Sequence, residues 1–267
     1  MAKTGSGHSI PVVHGRVTWP PEFTPDFFCD RALISMNGRF GYMDLEGRVV
    51  LDFIFDDANH FSNGSAQVND QGDCHSTLID PNGNRLLDPG LTMDSDFNEG
   101  LARVATRDFS DRKYGVVNRR GQLVVSLRTC RIRAFSEGMA VTVENDRHGF
   151  IDRSGRQVVD HLYADAMAFS EGRAGVKDPV SGKWGFIDQE GNVVIDFLYG
   201  FPEQSFRDGC VFVTRGGQGG CIDRDGTVLI NFSEEFDDDQ YHDLIRKRRE
   251  AGTAGDGDDA ILNGGGD

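Results

Sequence analysis

The chain has 267 residues, 38% of them hydrophobic and 10% aromatic, which is enough to bury a core and excludes a wholly disordered polymer. Forty-three acidic against 28 basic residues leave a net charge of −15, a sign that repels phosphate backbones, so direct nucleic-acid binding is not expected. No run of about 18 apolar residues is present to cross a bilayer as a helix, and no membrane association is expected.

From the N-terminus, Met1 to Val13 holds one lysine and no apolar core, so no secretory signal is expected and the expected address is the cytoplasm. Residues 1–26 precede a repeating region, and Trp19 to Phe27 aligns with the connectors between its units. Five cysteines (Cys29, Cys74, Cys130, Cys210 and Cys221) form no Cys-x-x-Cys pair and are read as free thiols. Thirty-four glycines without a Gly-X-Y period forecast many turns.

Residues 27–232 repeat themselves six times. A Gly-aromatic-Ile-Asp-x-x-Gly segment recurs at Gly41 to Gly47, Thr77 to Gly83, Gly115 to Gly121, Gly149 to Gly155, Gly185 to Gly191 and Gly220 to Gly226. Its Asp or Asn (44, 80, 118, 152, 188, 223) returns at intervals of 36, 38, 34, 36 and 35 residues. A Phe-Ser-Glu-Gly-x-Ala-x-Val segment keeps the same step, from Phe61 through Phe97, Phe135 and Phe169 to Phe206, with a worn copy at Phe27.

The alternation in Leu101-Ala102-Arg103-Val104 and Gly172 to Val176 predicts a strand with one buried face. Gly185 to Asp188 is a second strand. Asp188-Gln189-Glu190-Gly191 has the acceptor and the positive-φ residue of a tight hairpin with a glycine bulge, and Val193 to Ile195 returns as a third strand. In the connectors, apolar residues recur every three positions (55, 58, 61; 163, 166, 169), compatible with a short 3₁₀ turn or with a fourth strand. The fold class is therefore all-β: six repeats of three-stranded or four-stranded antiparallel meanders that must stack to bury their faces. A closed propeller-like ring, completed by the N-terminal segment, is favoured over an open β-solenoid.

Lys183-Trp184-Gly185-Phe186-Ile187-Asp188-Gln189-Glu190-Gly191, with Phe169-Ser170-Glu171-Gly172 before it and Ile195 to Tyr199 after it, resembles the WG repeat family of largely bacterial β-rich proteins. The likeness spans residue 27 to about residue 232. Only Trp184 is the family's tryptophan; Phe40, Tyr114 and His148 stand in its place elsewhere, Ser76 and Gly219 depart from the pattern, and the second copy also carries Thr77 and Pro81. The resemblance implies a repeated interaction scaffold, with no catalytic residue to transfer.

Beyond Phe232, residues 233–267 hold 11 acids and 4 bases. Residues 233–250 place acids first and Arg246 to Arg249 last, the charge order that a helix dipole favours, so a short charged helix is predicted; residues 251–267 read as a disordered Gly/Asp-rich tail. The repeated aspartates and the Ser-Glu-Gly elements are read as turn residues rather than metal ligands or acid catalysts. Gly216 to Gly220 is read as a hairpin tip rather than a phosphate cradle, and His161 as a packed scaffold residue. No catalytic residue, cofactor or metal is assigned.

Residues shared by all copies build the fold, so function is sought where copies differ. The differences lie in loops between first and second strands. Partner-binding candidates there are Asp70, Asp73, His75, Arg107, Asp108, Phe109, Asp111, Glu144, Asp146, His148, Asp178 and Val180, with Phe109 and Val180 as apolar anchors. The favoured function is a non-catalytic module, monomeric in itself, that binds another protein. Its acidity points to a basic partner, as for an immunity-type or adaptor protein. The alternatives are a sugar or small-metabolite binding module and an enzyme with its site at the ring centre.

Overall fold

The computed structural model describes residues 26–70, 72, 74–233 and 239–250 in full. Short strands within residues 2–17, residue 238 and residues 251–255 are described by their backbone. The chain divides into two compact units, Met1–Ala134 with Arg153–Gly155, and Phe135–Asp152 with Arg156–Asp267. Both are built from antiparallel sheets, as the alternation predicts.

The fifth repeat shows the plan. Its strands Ala174–Lys177, Trp184–Ile187 and Val193–Tyr199 form a meander, and the connector strand Asp165–Ala166 pairs with the first of them, giving a four-stranded sheet. The connector is thus a strand and not a 3₁₀ turn. Its amides take ladder partners, Ala164 N–H donating to the Lys177 carbonyl and Met167 N–H to that of Gly175, which satisfies main-chain groups that a lone turn would leave to solvent. The third repeat repeats the plan, with Leu91–Met93 as the connector strand beside Leu101–Thr106, Tyr114–Asn118 and Leu123–Arg128.

The second strand is buried on both faces: Trp184, Phe186 and Ile187 are all at most 3% exposed. Its glycine is a steric requirement. The register against the third strand shifts between Trp184↔Tyr199 and Phe186↔Ile195, and this bulge brings the Ile195 carbonyl to 2.5 Å from where a Gly185 Cβ would lie. Gly41 and Gly149 face the Leu51 and Val159 carbonyls in the same way. The second repeat has Thr77 at this position, and there the third strand is reduced to an isolated Ile79↔Arg85 bridge.

The first two repeats share one eight-stranded sheet, because Val49–Ala58 runs from the third strand of the first into the connector of the second and pairs with Ala66–Asp70, and adjacent repeats are further joined in three ways. First, the connector phenylalanine packs against the second-strand aromatic of the preceding repeat: Phe61 on Tyr42 with ring centroids 4.8 Å apart, Phe169 on Phe150 at 5.1 Å, and Phe206 on Phe186 at 5.0 Å. Second, hairpin glycines lie on a third-strand residue of the preceding repeat, as Gly83 on Leu51, Gly155 on Val125 and Gly191 on Val159. Third, the Ser-Glu-Gly turns, whose Glu and Gly both adopt positive φ, are tied in series. The Glu137 carboxylate accepts from the amides of Glu171 (2.6 Å) and Gly172 (2.8 Å), and Glu171 from that of Gly209 (2.7 Å). Ser136 and Ser170 hydroxyls donate to the Phe169 and Phe206 carbonyls, each at 2.8 Å. These elements are turns, as expected, and their acidic side chains have the further task of pinning the next turn.

At the N-terminus, Ala2–Thr4 pairs with Arg31–Met36 of the first repeat (Lys3↔Ser35, Thr4↔Ile34) and with Ser9–Ile10. Most of the segment expected to complete the last repeat, residues 18–25, lies outside the described residues, as do residues 256–267 of the expected disordered tail. The predicted helix is present over Asp238–Gly255, ending five residues beyond the expected boundary, while Ser233 belongs to the last strand. Ala251 and Ala254 favour this extension, against the cost of Gly252 and Thr253. The correction moves Arg246 to Arg249 out of the last turn, so they do not serve the dipole. Arg248 instead donates to the Asp208 carbonyl (2.7 Å), and Arg249 Nε to the Asp208 carboxylate (2.9 Å), on the last turn of the series.

The hairpin aspartates cap their own turns. Asp44, 6% exposed, accepts from the amides of Arg48 (2.8 Å) and Glu46 (3.1 Å) and from the Arg48 guanidinium (2.7 Å). Burial pushes its carboxyl up, but the Arg48 and Glu46 hydrogen bonds together hold it below its ordinary value. A depressed folded-state pKa means stabilisation that is present above the unfolded value of about 3.9 and lost as pH falls through the folded one. Asn118 performs the same capping in the third repeat, so Asp44→Asn should keep the turn. Urea midpoints of wild type and Asp44→Asn should differ at pH 7 and converge below about pH 4; a constant gap across that range would disprove the assignment.

The helix clamp makes a separate prediction. Replacing Arg248 and Arg249 by Ala should accelerate amide exchange across residues 239–250 and around Asp208 and Gly209, while exchange in Met139–Glu144 stays unchanged. Unaltered exchange in the helix would show that Ile245, 9% exposed, holds it alone.

Candidate functional site

The loops between first and second strands fall into two kinds. Those of the first, fourth and sixth repeats are two-residue turns with both residues at positive φ, at Asn37-Gly38, Asn145-Asp146 and Gly216-Gly217, the geometry that matches strand twist. Gly216-Gly217 is thus the hairpin tip that the sequence suggests. The second, third and fifth repeats carry the longer loops 71–75, 107–113 and 178–183.

In the first unit, loops 71–75 and 107–113 meet. The His75 ring lies 6.2 Å from that of Phe109, and Phe109 is 73% exposed. The Arg112 guanidinium sits 4.8 Å over the Phe109 ring and 5.9 Å from Tyr114, while its Nη2 reaches the Asp94 carboxylate at 3.3 Å. An exposed aromatic is thereby held upright by a cation that is itself anchored to the sheet.

The acidic candidates are individually engaged. Asp70 pairs with Arg85, and Asp111 with Lys113 at 2.7 Å. Asp108 accepts from the Ser110 hydroxyl (2.7 Å) and amide (2.8 Å), which hold its carboxyl below its ordinary value. Arg107 donates to the Leu91 carbonyl at 3.1 Å and so braces the loop. Asp73 lies outside the described residues.

In the second unit, Asp178 accepts from the Ser181 amide at 2.6 Å. The Ser181 hydroxyl and then its amide lower the Asp178 pKa, and the charge of nearby Arg147 adds to them, so hairpin 145–146 and loop 178–183 are neighbours. Val180 at the tip is 93% exposed. Glu144 reaches His161 at 3.6 Å, and Asp146 is exposed.

His148 requires a correction. It pairs with Tyr163 as Trp184 pairs with Tyr199, is only 9% exposed, and has Nε2 3.5 Å from Asp165. It belongs to the interior, as Trp184 does at the same position of the fifth repeat, whereas Phe40, Ser76 and Tyr114 are only partly buried there. The sequence reading missed Arg112 and Arg85. Arg112 carried a signal, two residues before Tyr114 on an approaching strand; Arg85 carried none, since its partner lies 15 residues away across a turn.

The model of the WG containing repeat matches residues 40–72, 114–147, 149–178 and 184–218, and the chain belongs to the WG repeat family. The gap between the first two matches covers the repeat with Thr77 and Pro81. No curated protein matches. Among solved structures, Hsv2 of Kluyveromyces lactis is similar at 9% identity, covering 73% of this chain and 71% of that one with a TM-score of 0.39. A eukaryotic initiation factor is similar at 12% identity over 80% of this chain and 65% of that one, TM-score 0.44. Virginiamycin B lyase from Staphylococcus aureus is similar at 11% identity over 79% and 84%, TM-score 0.32.

Proposed function

We propose that this WG-repeat protein is a non-catalytic interaction module that binds a basic protein through its long inter-strand loops. The carrying observation is Phe109, 73% exposed yet fixed against Arg112 and His75. An aromatic already ordered before binding loses little entropy on capture, which is the character of an interface anchor. Because Asp70, Asp108, Asp111 and Asp178 have local partners, the acidity acts mainly through the net charge of −15, as a long-range field that speeds encounter with a cationic surface.

With a partner isolated by copurification from the native host, Phe109→Ala should raise the dissociation rate by about tenfold or more, the scale of a hot-spot aromatic, and leave association nearly unchanged. Replacing Asp108, Asp111, Asp146 and Asp178 by Asn should slow association and flatten its salt dependence. Unchanged rates for both variants would remove this face from the interface.

The closed ring is the architecture we favour for presenting these loops. It is supported by a last repeat of only three strands, Cys210–Arg215, Gln218–Asp223 and Val228–Ser233, one fewer than the third and fifth repeats; the N-terminal strand Ala2–Thr4 itself pairs within the first repeat. Deleting residues 1–26 should then expose the last repeat to faster amide exchange, whereas in an open stack the loss would stay beside Arg31–Met36. Undisturbed protection of Cys210–Ser233 would reject closure.

A further inference from the structure

The residue after the turn glycine is large in the third, fourth and fifth repeats, Leu101, Met139 and Arg173, and small in the sixth, Cys210. Leu101, Met139 and Cys210 are buried. In the second repeat the position is Ser65, and the volume given up there opens a cavity of about 180 Å³. Asn59, Ser65 and Gln67 of the second repeat line it together with Asp96, Phe97 and Arg119 of the third. Ser65 is 1% exposed and its hydroxyl has no hydrogen-bond partner. A buried hydroxyl left unpaired is costly and uncommon in folded proteins, and here it borders an open space with room for a water or a ligand hydroxyl to pair with it.

The chemistry of the walls narrows the class. Asn59 and Gln67 carry amides, which both donate and accept; a ligand hydroxyl does the same. The two charges oppose one another. Arg119 lies 4.4 Å over the Phe97 ring and donates to the Ser62 carbonyl at 3.1 Å, while Asp96 supplies a carboxylate, so these two walls together carry no net charge with which to select an ion of one sign. The volume corresponds to about six waters at ~30 Å³ each, the size of one pyranose or cyclitol ring.

We propose that this cavity binds a neutral, polyhydroxylated small molecule of one ring, with the Ser65 hydroxyl and the amides of Asn59 and Gln67 pairing with its hydroxyls. The site uses none of the residues of the loop face and stands or falls independently of it.

Saturation-transfer NMR on the full chain, with D-glucose, D-galactose, N-acetyl-D-glucosamine and myo-inositol each at about 1–10 mM to reach millimolar affinities, tests the idea. Inorganic phosphate and L-lysine serve as charged comparators. At least one neutral probe should bind. Ser65→Leu, which installs the residue of the next copy, should weaken that binding by about tenfold or more and raise the melting temperature, because the space is filled and the unpaired hydroxyl is gone. Gln67→Ala should weaken binding without filling the cavity, and it decides the matter if Ser65→Leu does not fold. Failure of all four neutral probes, binding of phosphate or lysine alone, or a neutral probe bound equally by wild type and both variants would each overturn the proposal.

Discussion

A sheet of a few short strands has no interior of its own, and at three junctions the contact that gives it one is the connector phenylalanine set against the aromatic of the preceding repeat. In Tyr42–Phe61, Phe150–Phe169 and Phe186–Phe206 the centroids lie about 5 Å apart at interplanar angles of 59–69°, the tilted to edge-on approach that ring quadrupoles favour. Every one of these rings is at most 1% exposed, except Phe206 at 3%. Since one ring of each pair belongs to one repeat and the second to the next, burial is achieved only by stacking. The period in the sequence is the trace of that requirement.

The turn series adds direction to the stack. A non-glycine residue at positive φ costs about 1 kcal/mol or more, yet Glu99, Glu137, Glu171 and Asp208 all adopt it. At Glu137 and Glu171 the strain is offset by a carboxylate that accepts main-chain amides of the following turn, hydrogen bonds strengthened by the charge. Glycine would relieve the strain and lose the acceptor. At Asp208 the Arg249 guanidinium takes the place on the carboxylate that amides hold elsewhere, and Arg248 donates to the Asp208 carbonyl beside it. The helix therefore terminates the series by the same electrostatic logic that propagates it.

Much of the scaffold was legible because its determinants are local and recur. The Asp-x-x-Gly hairpin, the alternating first strand and the double-sided second strand each follow from a few adjacent residues. The pairing of Glu137 with Glu171 and Gly172 was not legible, since it depends on how one copy sits on the next. His148 was misplaced for a related reason: its place at the end of a variable loop suggested exposure, whereas its register opposite Tyr163 fixes it inside. Of the loop candidates, Phe109 and Val180 could be read from hydrophobicity in a polar setting. The partners that neutralise Asp70 and Asp111 could not, because side-chain reach decides them.

The repeat that departs furthest from its siblings concentrates what is distinctive about the molecule. Thr77 occupies a place where the bulge admits glycine alone, so the third strand is lost and Arg85, in the segment that would have formed it, pairs with Asp70 at the edge of the long loop. Ser65 and Gln67 stand where other copies carry Leu101 and Arg103, and they open the cavity. His75, on the same repeat, meets Phe109 of the next. This repeat, whose second half falls between matches to the family model, lacks both the close approach at glycine and the filled core position at Ser65. Each loss leaves the aromatic pair Tyr42–Phe61 on one side and the fully buried Leu78 on the other intact. Stacking is thereby preserved while the surface between is free to specialise.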